Sequence, residues 1–362
     1  MVTDPAHAPA EDFDVFLCGT VFLDIVFTGM LNAPSGGHEV WTDGMGSSPG
    51  GAANLAVACS RLGLRTSLAA AFGGDAYGDF CWTLLEDSEG IDLSHSRRFE
   101  GWHSPVTVSL ALDDDRAMVT HAHPAPVPLN ELASNPPTSK VCCVEIGTER
   151  AVWLDDAIAA GSLVFADSGW DPSETWDVQR LRAQLTGVHA FVPNAIEAMS
   201  YTRADTPGAA LEAMRDWVPL AVVTTGSGGA FAADATSGET AWAPGVPVDA
   251  LDPTGAGDVF LAGLVMGTLG GWPLQQRLRF ANLCAALSVR DFGGALAAPG
   301  WGEVAAWWHD ARTSPRMARD YAFLDDVIPT ESPRAVSRAS ATIGLRPLLP
   351  QAPEPSAERK PT

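Results

Sequence analysis

The sequence predicts an α/β protein in which helices cover both faces of a mainly parallel central sheet. One observation is a rhythm of short, continuously apolar runs that alternate with helical segments along the second half of the chain. Another is an apolar content of 46% in 362 residues, which is ample for a large core. Such alternation is typical of parallel sheets buried on both faces. The runs that predict these strands are 141–146, 162–166, 188–192 and 221–225.

Similar patterns predict the elements of the first half. They are a strand at 15–19 with a turn at 19–24, a Gly- and Ser-rich stretch at 39–48 that leads into a helix near Gly50, a strand at 66–73 and a helix at 77–89. Residues 107–112 alternate between apolar and polar, which is typical of a half-exposed strand, and a turn follows at 113–115.

The charge of the chain limits its partners. A formal net charge of −22 argues against nucleic acid and anionic membranes, because both are bound through basic surface. The N-terminus lacks the basic start and apolar core of a signal peptide, and no apolar run approaches the ~20 residues of a membrane span. The six cysteines lie in apolar segments without metal-ligand spacing, as expected of reduced core residues. We therefore expect a cytoplasmic protein.

The most informative motif is DPTGAGD at residues 252–258, which an apolar helical segment follows. Small residues that open a helix direct backbone N–H groups and the positive end of the helix dipole at a ligand, so Gly255, Ala256 and Gly257 form a predicted phosphate site. A carboxylate there suits a general base that takes a proton from an attacking hydroxyl, and we assign this role to Asp258. Together they predict a kinase that phosphorylates an alcohol. The alternative for the motif alone is an ordinary Gly-rich turn with an acidic helix start.

A second motif, PGGAANLAVACSRLG at residues 49–63, places two glycines and Asn54 at the head of another apolar helix. With both motifs in order, the chain resembles the ribokinase-like (PfkB) carbohydrate kinase family from about residue 13 to about residue 311. The resemblance implies a ribokinase-like domain at 12–311, with a small β lid built from about 20–48 and 101–124. Residues 312–362 are then expected to be a peripheral segment and a disordered tail.

The resemblance also assigns residues to the substrate. The family has an Asp at the place of Asp24 that hydrogen-bonds sugar hydroxyls. Gly50, Gly51 and Asn54 fit the same role through bare backbone and an amide that both donates and accepts. Glu145 matches a sugar-contacting Glu of some relatives. The alternative for Asp24 is a local hydrogen bond in the turn at the strand end.

ATP and Mg²⁺ are the cofactors that the resemblance implies, and a monovalent cation such as K⁺ is a further candidate. Asn194 and Glu197 match an Asn-x-x-Glu pair implicated in magnesium and phosphate organisation, and magnesium needs few protein ligands. A helix start with an early acid is the alternative for this pair, and a helix C-cap is the alternative for the turn at 292–295. The residues implied for the nucleotide are Asn194, Thr224, Gly226, Asn282 and Gly294.

Two positions depart from common patterns of the family. Pro253 stands where the family usually has Thr or Ser, which removes a backbone donor. Relatives that act on fructose or keto-deoxy acids often carry Asp-x-Asn-x-Arg after the middle strand, whereas residues 167–171 read DSGWD. Because the Arg is missing, a neutral sugar, polyol or nucleoside fits better as the substrate.

The aromatic side chains give weaker signals. Trp102 and His103 lie where the family's lid meets the substrate, so stacking on a sugar face is an option beside simple packing. His121 and His123 share one strand face without a third ligand nearby in sequence, and we interpret them as surface residues.

Three functions stay open: an ATP-dependent kinase of a sugar or sugar-like alcohol, a nucleoside kinase of the same fold, and a catalytically inert sugar-binding relative. A Walker A loop is excluded because neither lysine follows a glycine. The Rossmann fingerprint fails because Pro49 stands where its third glycine should open a helix. An unused apolar face of the lid would bind a second lid, so a homodimer is a further expectation.

Overall fold

Three sheets organise the part of the chain that the computed structural model describes, residues 12–30, 32–112, 115–147, 150–169 and 174–330. The strands in these ranges are β1 (Phe13–Cys18), β2 (Val21–Met30), β3 (Gly44–Gly51), β4 (Thr66–Ala69), β5 (Ala71–Gly73), β6 (Arg97–Phe99), β7 (Val106–Leu112), β8 (Asp115–His121), β9 (Ser139–Ile146), β10 (Leu163–Ser168), β11 (Ala190–Phe191), β12 (Leu220–Thr224), β13 (Ala230–Asp234) and β14 (Glu239–Ala243). The α-helices are α1 (Ala52–Arg61), α2 (Ala76–Thr83), α3 (Leu129–Leu132), α4 (Trp153–Ala159), α5 (Val178–Gln184), α6 (Ala195–Thr202), α7 (Pro207–Met214), α8 (Ala256–Leu269), α9 (Leu274–Ser288), α10 (Trp301–Ala311), α11 (Pro315–Asp320) and α12 (Leu324–Val327).

The main sheet confirms the predicted fold class. Its order is β14-β13-β12-β11-β10-β9-β1-β4, parallel from β4 to β12, with β13 and β14 antiparallel at one edge. Neighbouring residues of β9, Val141 and Cys142, are both fully buried, and they belong to clusters on opposite faces. Helices α1, α8 and α9 cover one face, and α4 to α7 cover the other. Burial on both faces explains why these strands are continuously apolar.

A four-stranded sheet, β3-β2-β7-β8, forms the predicted β lid. Residues that pair directly across strands point to the same face of a sheet. Asp24 pairs with Ser48 and with Thr107, so these three side chains share one face. The adjacent residue Ile25 pairs with Val108 and therefore lies on the other face.

Three predicted elements differ in detail. The turn predicted at 19–24 is shorter, because β2 begins at Val21 and Asp24 lies within that strand. The strand predicted at 66–73 divides into β4 and β5, because the N–H of Ala70 donates to Ser96 Oγ at 3.0 Å and β5 pairs with β6 instead of β1. The helix predicted at 77–89 is α2 followed by a π-helical turn, Leu84–Ser88. The N-terminal cap of α2 is Asp75, whose carboxylate accepts the N–H of Gly78 at 2.8 Å.

The end of the described chain attaches to the core. Helices α11 and α12 follow α10, and Tyr321, Phe323 and Leu324 are buried in the cluster that contains α8 and α9. The tail predicted from about residue 332 lies outside the described residues. All six cysteines are free thiols. Within the described ranges, no helix has the length and apolar character needed to cross a membrane.

Arg61 of α1 forms a buried ion pair and also binds the loop that follows residue 293. Arg61 Nη2 lies 2.7 Å from Glu89 Oε1, and both side chains are almost completely buried. Arg61 Nη1 also donates to the carbonyl oxygens of Leu296 and Ala298, each at 2.7 Å. Because a buried charge needs full compensation, this geometry fixes α1 relative to the loop that follows residue 293.

Candidate active site

The N-terminus of α8 is open, as the DPTGAGD motif predicts. Gly255 is the N-cap residue with a φ of 73°, a left-handed conformation that favours glycine, and no side chain caps the helix. A Cβ at Gly257 would meet no atom of another segment within 4 Å, so no other part of the protein crowds this position of the first turn. The N–H of Ala256 donates to the carbonyl of Pro253 at 3.2 Å, whereas those of Gly255 and Gly257 have no acceptor among the described residues. Two of the three predicted anion-hole donors are therefore available.

Asp258 is the third residue of α8 and faces the same cleft. Its Oδ2 accepts a hydrogen bond from Asn54 Nδ2 at 3.2 Å. Burial is the largest cause that raises the pKa of Asp258 to about 7, the Asn54 hydrogen bond opposes the increase, and the charges of Glu145 and Asp24 add to it. A carboxyl group with this pKa takes up and releases a proton near neutral pH.

Asn54 sits between two glycines that approach it closely. Its side chain is buried, and its Oδ1 has no hydrogen-bond donor among the described residues. A Cβ at Gly255 would lie 3.1 Å from Asn54 Cγ, and a Cβ at Gly294 would lie 2.9 Å from Asn54 Oδ1. Gly294, which the resemblance places at the nucleotide, thus lies against Asn54, a predicted substrate residue, and against Thr254 of the α8 loop. The unpaired Oδ1 needs a donor that a ligand can supply.

Asp24 explains the glycine pair of the second motif. A Cβ at Gly50 would lie only 1.8 Å from Asp24 Oδ2, so no side chain fits there while the carboxylate holds this position. Gly51 has a φ of 62°, and a Cβ there would lie 2.4 Å from the carbonyl oxygen of Thr20. The carboxylate of Asp24 therefore lies directly against the glycine pair that precedes Asn54 in the chain.

Glu145 near the end of β9 and Asp167 near the end of β10 add two more carboxylates. They are direct partners in the sheet register. A Cβ at Gly169 would lie 2.5 Å from Glu145 Oε1, and although Glu145 is partly exposed to the cleft, the surrounding protein raises its pKa. Burial and then the charges of Glu197 and Asp258 raise the pKa of Asp167 well above its usual range. Asp167 is not among the predicted site residues, although its position near the carboxyl end of a buried parallel strand was an available signal.

Asn194 and Glu197 form a capping box at the start of α6. Glu197 Oε2 accepts the N–H of Asn194 at 3.0 Å, and Asn194 Oδ1 accepts the N–H of Glu197 at 3.0 Å. Ser168 Oγ donates to the same Oε2 at 3.0 Å. Glu197 Oε1 accepts no hydrogen bond within the described residues, which leaves one oxygen for a water-mediated metal contact. In the described ranges, no group of three or more His, Cys, Asp or Glu side chains could hold a metal ion directly.

The other predicted nucleotide residues lie at and beyond the end of β12. Thr224 donates its N–H to the carbonyl of Pro193 at 3.1 Å and forms a bridge with Asn194, so these two segments are adjacent. Gly226 has a φ of 57° and begins a short 3₁₀ helix, Gly226–Gly228. Asn282 Nδ2 donates to the carbonyls of Ala243 at 2.9 Å and Pro244 at 3.2 Å. The Asn282 amide therefore supports the end of β14, whatever else it contacts.

Three histidines gather at the lid, which the sequence analysis did not predict. The rings of His121 and His123 are 4.8 Å apart, and His103 lies 6.1 Å from His123. His103 precedes β7 and the other two follow from β8, so the contact is distant in sequence. All three are exposed, consistent with the surface interpretation of His121 and His123. Trp102 donates its Nε1 to the carbonyl of Pro124 at 3.1 Å, which ties the two lid segments together.

Comparisons with known proteins agree with this geometry. The family model described as "pfkB family carbohydrate kinase" matches residues 37–300. The chain is 27% identical over 270 residues to a pseudouridine kinase of Escherichia coli, covering 67% of this chain and 80% of the relative. It is 30% identical over 273 residues to a nucleoside kinase of Methanothermobacter thermautotrophicus, covering 70% and 82%.

A solved structure shows the same fold. An E. coli protein assigned as a Ribokinase II, solved with ATP and Mg²⁺, superposes with a TM-score of 0.68 and 19% identity, covering 82% of this chain and 99% of that chain. The sheet order, the lid and the position of the α8 loop are thus parts of a fold that other proteins share.

Proposed function

This chain belongs to the pfkB carbohydrate kinase family, and we propose that it transfers the γ-phosphoryl group of ATP to a hydroxyl of a sugar or nucleoside. The observation that carries the proposal is the open N-terminus of α8 with a carboxyl group of raised pKa on its first turn. An anion site and a proton acceptor in one turn are the two requirements for phosphorylating an alcohol.

Asp258 acts as the general base in this proposal. A substrate hydroxyl bound beside Asp258 gives up its proton to the carboxylate as its oxygen bonds to phosphorus, and the bond to the ADP oxygen breaks. The N–H groups of Gly255 and Gly257 are oriented to stabilise negative charge on the transferred group. The Ala256 amide, which the sequence analysis included, orders the loop through its bond to Pro253.

The substrate is held by polar side chains around Asp258. Asp24 and Glu145 offer carboxylate oxygens, and Asn54 offers its unpaired Oδ1 to a hydroxyl. Gly50 and Gly51 leave room for Asp24 and for close approach of the sugar. The charges of Asp24 and Glu145 reach Asp258, which supports a single binding cleft for these residues.

ATP and Mg²⁺ fit the opposite side of Asp258. When bound, MgATP supplies the phosphoryl group, as in the fold relative solved with both ligands. Glu197 and Asn194 would hold Mg²⁺ through water, since Glu197 Oε1 is the one carboxylate oxygen of the capping box that stays unengaged within the described residues. Thr224 and Gly226 would line the phosphates, with Asn282 and Gly294 behind them. Replacing K⁺ by choline in the assay tests whether a monovalent cation is needed.

A second copy of the chain is the partner proposed for the lid. On the face opposite to Asp24, an exposed or half-buried apolar patch is formed by Ile25, Phe27, Met45, Val108, Leu110 and Val119. Val119 is 67% exposed, and such patches commonly mark protein interfaces. Val119→Asp should convert a dimer into a monomer in sedimentation equilibrium. A wild-type monomer at micromolar concentration would contradict the proposal.

The decisive experiment measures ADP release over a panel of neutral sugars, polyols and nucleosides. A kinase of this kind releases ADP with at least one member at a rate far above ATP hydrolysis in water alone. A chain that binds a sugar but releases no ADP with any member would be an inert relative, the remaining alternative from the sequence.

A further inference from the structure

A second cavity opens at the carboxyl ends of β1 and β9, beside the candidate active site. Its volume is about 320 Å³, which lies within the range of small-molecule sites. Leu129 and Asn130 of α3 line one side, and Val144 and Glu145 of β9 line another. The thiol of Cys18 at the end of β1 donates to the carbonyl of Leu129 at 3.5 Å, which holds α3 over the sheet.

Glu145 joins this cavity to the reaction centre. It lines the cavity, and its charge is among the causes that raise the pKa of Asp258. Because Glu145 lines the cavity and is also a predicted sugar contact, a ring held by Asp24, Asn54 and Glu145 would extend into the cavity.

The lining suits a planar group that is partly apolar. Leu129, Val144 and Leu154 present apolar surface, which cannot hydrogen-bond the hydroxyls of a sugar. The side-chain amide of Asn130 has no hydrogen-bond partner among the described residues, so it offers a donor and an acceptor side by side. A heteroaromatic ring has apolar faces and a polar edge, and it matches both features.

The charges of the cavity favour a neutral ligand. Arg150 lines it, but Arg150 Nη2 lies 2.6 Å from Asp155 Oδ1 and 2.8 Å from the carbonyl of Thr186, and Nη1 donates to the carbonyl of Gln184. With this cation compensated and Glu145 nearby, a phosphate or carboxylate would be repelled rather than bound.

We propose that the acceptor is a nucleoside, with its sugar between Asp24 and Asp258 and its base in this cavity. The inference rests on the proposed kinase function and narrows its substrate class. The base would lie against Leu129 and Val144 while its polar edge pairs with the Asn130 amide. A free sugar or polyol would leave the cavity unfilled and Asn130 unpaired.

The first test compares kcat/KM, by ADP release from the full-length chain, for purine and pyrimidine nucleosides and for D-ribose. The best nucleoside should exceed ribose by roughly 100-fold or more, because a site built to pair a polar edge discriminates strongly against a ligand that lacks it. Ribose equal to or better than every nucleoside would overturn the proposal and leave the kinase function intact.

Variants of the cavity test where the nucleobase binds. Asn130→Ala should lower kcat/KM for the best nucleoside roughly tenfold, and Leu129→Trp, which fills the cavity, should lower it further. Neither should alter ribose phosphorylation. Glu131→Ala is the matched control, because Glu131 lies on the same helix, pairs with Arg97 at 3.2 Å and is exposed. Equal loss for nucleoside and ribose in Asn130→Ala would overturn the assignment.

Calorimetry distinguishes nucleoside binding in the cavity from the proposed phosphoryl transfer. Asp258→Asn without ATP should bind the nucleoside with an affinity near that of the wild type, and Leu129→Trp should bind it at least tenfold more weakly. Nucleoside binding without ADP release would support the cavity and refute the kinase function. Absence of nucleoside binding to a wild-type chain that phosphorylates ribose would refute the cavity alone.

Discussion

Helices α6 and α8 have an acid at the same position of the first turn, but the N-terminus of α6 is closed and that of α8 is open. Each carries an acid at its third position, Glu197 and Asp258, and the charges of both reach Asp167. Glu197 reaches back to its own cap residue and closes the N-terminus of α6. Asp258 accepts from Asn54 on another helix and leaves the N-terminus of α8 open. The same acid position thus closes one helix and, in the proposed function, belongs to a ligand site in the other.

Side-chain length and the conformation of the cap residue both contribute to the difference. Helix α10 also starts with a glycine and has an acid at its third position, and there Glu303 Oε2 accepts the N–H of Gly300 at 3.0 Å. Aspartate is one methylene shorter than glutamate, and the caps also differ, because Gly255 is left-handed with a φ of 73° whereas Gly300 is extended with a φ of −115°. Asp258 therefore does not close its own helix, and its carboxylate accepts from Asn54 instead.

The largest expected effect comes from Asp258→Asn. The variant keeps the size of the side chain but cannot take the proton, so turnover should fall by roughly 10²–10⁴-fold. ATP affinity should hold or improve, because repulsion with the γ-phosphate is relieved. Initial-rate kinetics and ATP calorimetry measure the two quantities. A variant with more than half of the wild-type turnover would remove Asp258 from the mechanism and leave α8 as a binding site only.

Asp24→Ala should weaken binding of the alcohol substrate without weakening binding of ATP. Loss of two or three hydroxyl contacts should weaken the alcohol substrate by about 2–4 kcal/mol, while ATP binding should stay near normal because the proposal places Asp24 on the substrate side. KM for each ligand and direct ATP binding check this. Equal weakening of both ligands would show that Asp24 supports the lid rather than the substrate.

The pH profile tests the raised pKa of Asp258. With a pKa of about 7, the base is protonated in acid, so kcat/KM should rise roughly tenfold per pH unit below that value and level off above it. A profile that is flat between pH 5 and 8 would contradict the role. Glu197, whose pKa burial also raises, is the control: Glu197→Gln should keep the inflection of the wild type.

The raised pKa of Asp258 also affects stability: the folded state should become less stable as pH rises, whereas kcat/KM should increase. Between the unfolded value of 3.8 and the folded value of about 7, the folded chain keeps a proton that the unfolded chain has lost. Stability contributed by Asp258 is therefore present at low pH and is lost as pH rises toward 7. Asp258→Asn removes this dependence, so the gap in melting temperature between variant and wild type should widen as pH rises. A constant gap would show that Asp258 titrates alike in both states.

The smallest expected effect comes from a substitution at the closed N-terminus of α6. Asn194→Ala removes the cap of α6 and should cost about 1 kcal/mol of unfolding free energy. If Asn194 also orders Mg²⁺, the Mg²⁺ concentration for half-maximal activity should rise several-fold. Thr206→Ala is the matched control, because Thr206 caps α7 by accepting the N–H of Ala209 at 3.2 Å. Equal Mg²⁺ dependence in both variants would make α6 purely structural.

The sequence predicted features that local patterns encode. Parallel strands, the lid segments and the helix behind Gly255 follow from apolar runs, alternation and small residues. It did not predict that Asn54 lies between Gly255 and Gly294, that His103 joins His121 and His123, or that Glu197 closes its own helix while Asp258 does not. The first two depend on contacts between separate segments of the chain, and the third depends on side-chain length and cap conformation, to which periodicity is insensitive. Asp167 was considered only as part of the stretch at 167–171, which lacks the Arg that some relatives carry there.

The site also has a consequence for biosynthesis. Asn54 and Asp258 are 204 residues apart, Ser48 and Gly293 are 245 apart, and Arg61 and Leu296 are 235 apart. Closing such loops costs entropy that only a nearly complete core repays. A nascent chain lacks both carbonyl acceptors of Arg61 until residue 298 has left the ribosome. Glu89 is available to Arg61 early, but the two carbonyl bonds that hold α1 against the loop after residue 293 form late, and the candidate site is among the last parts of the molecule to form.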